Sequence, residues 1–168
     1  MQANQAGDFA DKLAATITRS NTDVVLFGES MKQTGAIAGA LGASMTDLST
    51  SIGLMANAGI KGSKAGMSLK NMLSNMANPT DQQDRALQEL GMTADKTGSY
   101  LKTTADGCTD LEATVKALRE GTENMTRSQK AALIATVAGK NALPGVMSLV
   151  NASAEEYNKL SEAIDNST

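Results

Sequence analysis

The chain has 168 residues, with 15 Lys plus Arg, 18 Asp plus Glu and a formal charge of -3, the size of one domain or of a part of a longer chain. It contains no His, no Trp, 2 Pro, 1 Cys and 2% aromatic residues. Without imidazole there is no Ser-His-Asp or Cys-His catalysis and few zinc or haem sites are open, and a single thiol excludes both an internal disulfide framework and a Cys-x-x-Cys redox pair.

Leu, Ile, Val and Phe make up only about 18% of the chain, a level at which disorder becomes a concern. The small net charge argues against it, because compositional disorder needs low hydrophobicity together with high net charge. The 10 Met and 26 Ala supply buried apolar groups of good helix propensity. They predict a Met, Ala and Leu core of moderate stability, since Met is flexible and aromatic area is nearly absent.

Apolar spacing is helical almost throughout, and the first helix is predicted near 3–18. Its start is polar, with no basic stretch ahead of an apolar one, which is not the pattern of a secretory signal. A second helix is predicted over 22–41, ending at Gly42. There Gly35 and Gly39 place small residues on one face, read as core packing rather than membrane dimerisation. The third, 45–57, opens at Ser44-Met-Thr-Asp47, carries the stripe Met45, Leu48, Ile52 and Met55, and stops at Gly59. The fourth, 63–77, carries Leu69, Met72, Leu73 and Met76 and ends before Pro79, whose ring pushes the preceding residue out of the α region. Ser63 is expected to cap it, and Ala65 and Gly66 to make it thin enough for close packing.

A fifth helix is predicted at 81–90, closed by Gly91. Residues 92–107 have only Tyr100 and Leu101 as anchors and predict a short hairpin or an ordered loop. The sixth helix, 110–120, with Leu111, Val115 and Leu118, is expected to stop at Gly121. The seventh, 127–138, starts at the capping box Thr126-Arg-Ser-Gln129 and ends at Gly139. A short weak helix near 142–150 precedes the eighth, 154–165, which opens at a second expected capping box, Ser153-Ala-Glu-Glu156, and carries Tyr157, Leu160 and Ile164. The apolar stretch 131–150 is broken by Lys140, Asn141 and Pro144, so it predicts two short helices rather than a membrane span. The expected architecture is all-α: a compact bundle of about eight short, glycine-terminated helices in a single domain, 1–168, with a subdivision into 1–91 and 108–168 if the loop is a boundary.

Candidate chemistry is sparse. Ser99-Tyr-Leu-Lys102 matches a Ser-x-x-Lys nucleophile pattern, but its companion elements are missing. Cys108 has no neighbouring cation in the sequence to lower its pKa. The pairs Asp8/Asp11, Asp81/Asp84, Asp110/Glu112 and Glu155/Glu156 are available for a glycosidase-type site, though most fall in first helical turns, where they complement the macrodipole. No cofactor or metal site is expected. Gly59-Ile-Lys-Gly62-Ser63-Lys-Ala-Gly66 fits neither phosphate-binding glycine motif, and mild acidity with no Lys/Arg block argues against nucleic acid.

That interhelical segment, Ala58-Gly59-Ile60-Lys-Gly62-Ser63-Lys-Ala65-Gly66-Met-Ser-Leu69-Lys-Asn-Met-Leu73, followed by Pro79 and then Leu87-Gln-Glu-Leu90-Gly91, resembles the core region of phage tail tape measure proteins. Gly7-Asp8-Phe9-Ala10-Asp11 upstream and Ala154-Glu-Glu-Tyr157 downstream extend the resemblance over nearly the whole chain. Met67-Ser68 and Gly139-Lys140 depart from the usual pattern. The resemblance implies a structural role for Gly59, Ile60, Gly62, Ser63, Ala65, Gly66, Leu69, Leu73, Leu90 and Gly91. It also implies a segment of a much longer protein that takes part in tail assembly and sets tail length inside the tube lumen of the virion, after assembly in the host cytoplasm. The implied partners are the tail tube protein, tail assembly chaperones, tail tip proteins and further copies of the chain. The implied role is non-enzymatic. An aromatic-poor, glycine-punctuated body would open readily for passage through a narrow tube. A peptidoglycan hydrolase or lysis module, a membrane-active helical protein and a general partner-binding helical domain remain as alternative readings.

Overall fold

A computed structural model describes residues 3–167, in which nine α-helices and no strand are present. The helices are α1 (Ala3–Arg19), α2 (Val24–Leu41), α3 (Met45–Asn57), α4 (Ser63–Ala77), α5 (Asp81–Glu89), α6 (Leu111–Thr122), α7 (Arg127–Ala138), α8 (Leu143–Asn151) and α9 (Ala154–Asp165). The stretch expected to be weakest is the well-formed α8, with Pro144 in its first turn, where proline's fixed φ suits the helix and its missing N–H is not needed.

Side-chain oxygens begin most of these helices. Asp23, Ser44, Asp110 and Ser153 each accept from a backbone N–H three residues on, satisfying one of the donors a helix start leaves orphaned. Thr126–Gln129 forms the expected reciprocal capping box and Thr80–Gln83 an unexpected one, whereas at Ser153–Glu156 only the Glu156 N–H to Ser153 hydroxyl half is made. Gly42, Gly59 and Gly91 end helices with positive φ of 74°, 88° and 78°. After Gly59 the Ile60 N–H reaches back to the Met55 carbonyl at 2.8 Å, closing the last turn as a left-handed residue allows.

Gly121 departs from the expectation: it is no stop. α6 runs through it to Thr122, and the carbonyl of Leu90 occupies the space a Cβ there would need. Gly35 and Gly39 depart too. Each would have a Cβ in open space, while the residues α2 buries are Phe27, Ser30, Thr34 and Ala38.

α3 and α4 form the centre. α3 packs against α1, α4, α8 and α9, and α4 packs against α2, α7 and α8. Leu69, Met72, Leu73 and Met76 are all fully buried, as is Met55. α5 lies on α7, and α6 on α8. Residues 92–110 make no helix: Thr103 and Thr109 form an isolated antiparallel bridge around a tight turn, and Tyr100, whose N–H donates to the Met76 carbonyl at 2.8 Å, pins the loop to the end of α4. Near the chain ends Lys12, 8% exposed, lies 3.5 Å from both Asp8 and Asp165 and so ties α1 to α9.

Candidate functional site

The glycines of the interhelical motif sit where α2, α3 and α4 meet. Gly62 caps α4 with φ 60° and ψ −133°, a conformation that L side chains rarely adopt. Its carbonyl accepts from the Ser30 Oγ of α2 at 2.7 Å and from the Gly66 N–H at 3.1 Å. One turn on, a Cβ at Gly66 would lie 2.9 Å from Ser30 Cα and 2.7 Å from Gln33 Cβ, so the two helices approach at backbone distance. Ala65, Leu69 and Leu73 are fully buried along the same helix. The cap expected from Ser63 is not made: Ser63 is exposed, lies inside the first turn, and no side chain caps α4. The capping position falls instead on Gly62, which has no side-chain oxygen to offer.

A second packing point joins Leu90, beside the helix-ending Gly91, to α6. Leu90 is 3% exposed, and a Cβ at Gly121 would also meet its Cβ at 3.3 Å. A third is Gly145 of α8, which lies against the Ser68 side chain of α4, a Cβ there lying 3.5 Å from Ile60 Cγ2. Nothing in the residues around Gly121 or Gly145 marks them: a glycine that admits a neighbour and one that ends a helix read alike in a single chain.

The residues weighed for chemistry do not assemble. Asp81 and Asp84 lie in the first turn of α5, and Glu155 and Glu156 in that of α9. Asp110 caps α6, and Asp8 pairs with Lys12. The Ser99 hydroxyl accepts from Leu101 N–H at 3.2 Å, and Cys108 is exposed beside Gly42. Among the described residues no group of His, Cys, Asp and Glu is placed to hold a metal ion. One close carboxylate grouping does occur. Asp47, at the start of α3, accepts from the Tyr157 hydroxyl at 3.3 Å, and its pKa is held above the ordinary value by burial and then by the charges of Asp110 and Glu112.

What the geometry builds is a set of packing junctions: an all-α structural module whose distinctive residues serve helix–helix approach. The chain belongs to the family of phage-related minor tail proteins, whose model matches residues 1–139. It is 33% identical over 168 residues to a tape measure protein of Pneumococcus phage Dp-1, covering 99% of this chain and 14% of that protein. The chain thus spans about a seventh of the length of that curated relative. No solved structure matches. The role of the family is structural, in the phage tail.

Proposed function

We propose that this chain is a core segment of a tape measure protein. The observation that carries the reading is the similarity to the phage Dp-1 protein along 99% of the chain, joined by the glycine junctions that the same stretch of sequence builds. In this reading the segment occupies the lumen of the tail tube, helps set its length, and meets the tube protein, assembly chaperones, tail tip proteins and other copies of itself. Residues 1–168 act as one helical unit without enzymatic chemistry. Ile60, Gly62, Ala65, Gly66, Leu69, Leu73 and Leu90 serve its packing, Gly59 and Gly91 end its helices, and Ser63 only opens α4. No observation favours the hydrolase or membrane readings: the one close carboxylate grouping, Asp47 with Asp110 and Glu112, is made of helix-start residues with Asp47 partly buried against Tyr157, and among the described residues no helix is long and apolar enough to cross a membrane.

The test is an in-frame deletion of the segment from its parent gene, with tail length measured by electron microscopy. With the bundle drawn out in the tube into one continuous helix of ~1.5 Å rise per residue, the deletion is expected to shorten tails by on the order of 250 Å. Tails of unchanged length would overturn a length-setting role for this segment.

A further inference from the structure

The end of α6, the start of α7 and the junction of α8 with α9 enclose an open cleft of about 790 Å³. Three cations line it: Arg119 from α6, and Arg127 and Lys130, one turn apart on α7. None of them is in an ion pair; among the described residues the paired cations are Lys12 and Lys116. Glu123 stands on the rim four residues from both Arg119 and Arg127, yet pairs with neither, and Glu120 is taken up by Lys116 at 4.0 Å. The Nε–H of Arg119 is buried with no acceptor, an arrangement that leaves the desolvation of a charged donor uncompensated within the chain. Lys130 donates to the neutral side chain of Asn151, and its pKa is held below the ordinary value by burial and then by the nearby Arg119 charge. Two like charges are therefore kept close with no counterion between them.

Beside these groups and the polar Thr122, Asn151 and Ser153, the wall has an apolar part with the thioethers of Met125 and Met147 and the side chain of Val150. Methionine accommodates varied apolar partners. We propose that this cleft is a docking site for a carboxylate-bearing stretch of a partner polypeptide, its acidic side chains meeting Arg119, Arg127 and Lys130 and an adjacent apolar side chain resting on Met125 and Met147. The charge arrangement calls for the carboxylate, which a guanidinium binds through a matching planar fork. The Met-lined wall calls for a polypeptide rather than a small free anion, because phosphate alone would leave it uncovered. The inference stands apart from the tape measure reading and does not depend on it.

The test tracks the methionine methyl signals of the 168-residue chain by NMR during three titrations: an acetylated, amidated peptide of two glutamates flanked by leucines, its glutamine counterpart, and inorganic phosphate. The glutamate peptide is expected to shift the Met125 and Met147 signals, with the glutamine peptide at least about tenfold weaker, the equivalent of one charge-assisted contact. Arg119→Gln is expected to weaken the glutamate peptide by a similar factor. Arg127 is exposed, so an Arg127→Gln, Lys130→Gln double variant gives the same reading should Arg119→Gln fail to fold. Absence of shifts, equal binding by the glutamine peptide, undiminished affinity in the double variant, or the same shifts from phosphate at equal concentration would each overturn the proposal.

Discussion

Ser30 holds the start of α4 in two ways: its hydroxyl donates to the Gly62 carbonyl at 2.7 Å, and its own carbonyl fills the space that a side chain at Gly66 would occupy. The hydrogen bond and the missing side chain are parts of one contact, since the hydroxyl reaches Gly62 only because α2 and α4 approach at Gly66. Adding a methyl group there must push the helices apart or break the bond. Gly66→Ala is therefore expected to destabilise the fold by about 1–3 kcal/mol, the range for overpacking a filled contact. Gly35→Ala, on the open side of α2 where a Cβ meets nothing within 4 Å, should instead stabilise it by about 0.5–1 kcal/mol. Urea unfolding midpoints of the two variants give opposite shifts if the packing is as described, and a shift in the same direction refutes it.

Asp47 sets a pH dependence of definite sign. Burial and the Asp110 and Glu112 charges raise its pKa above 3.8, so the folded chain holds this proton more tightly than the unfolded chain. The stability contributed by protonated Asp47 is whole below pH 3.8 and is lost as pH rises through the folded value. Asp47→Asn, which keeps an oxygen for the Tyr157 hydroxyl, should raise the urea midpoint at neutral pH. That gain should shrink on acidification towards the ordinary carboxylate range. A gain that grows on acidification would contradict the assignment.

Within α4 the legible and the illegible lie side by side. The stripe Leu69, Met72, Leu73 and Met76 is readable from sequence because helical period and burial coincide, and all four side chains are buried. Turn ends are readable where left-handed backbone demands glycine, as at Gly42, Gly59 and Gly91. The glycines that mark helix contacts are not, because their requirement comes from a residue distant in sequence: Ser30 for Gly66, Leu90 for Gly121, Ser68 for Gly145. Gly66 can be anticipated from its neighbour Ala65, whereas Gly121 reads as a stop and Gly35 as a packing residue, and neither is. The cationic cleft leaves no local signature either, as Arg119 reaches it from a different helix than Arg127 and Lys130.

The Met-rich core supports a graded prediction. Met72→Ala, at a fully buried position, is expected to cost about 2–5 kcal/mol through lost transfer energy and the cavity left behind. Met72→Leu conserves volume and should cost less than about 1.5 kcal/mol. Equal costs for the two variants would mean that the site is not filled as described, and equilibrium denaturation separates the cases.

Core composition also bounds the melting temperature. Phe27, Tyr100 and Tyr157 are the buried aromatic side chains, and the remaining apolar area comes from aliphatic and thioether groups. A midpoint within the ordinary mesophilic range of about 45–65 °C is expected. Calorimetry showing a midpoint above about 90 °C, the hyperstable range, would remove the link drawn between this composition and easy opening.

The salt link of Lys12 to Asp8 and Asp165 bears on how such a segment contributes to span. Because it brings positions near either end of the chain to one spot, a bundle carried as a segment of a longer polypeptide, as proposed, is a loop of stored slack that adds almost nothing to the distance between its flanks. Drawn out as one continuous helix at ~1.5 Å per residue, the same stretch covers on the order of 250 Å. In the proposed tape measure role the segment then has two lengths, and the contact between α1 and α9, with its Lys12 link, must part before the longer one is reached.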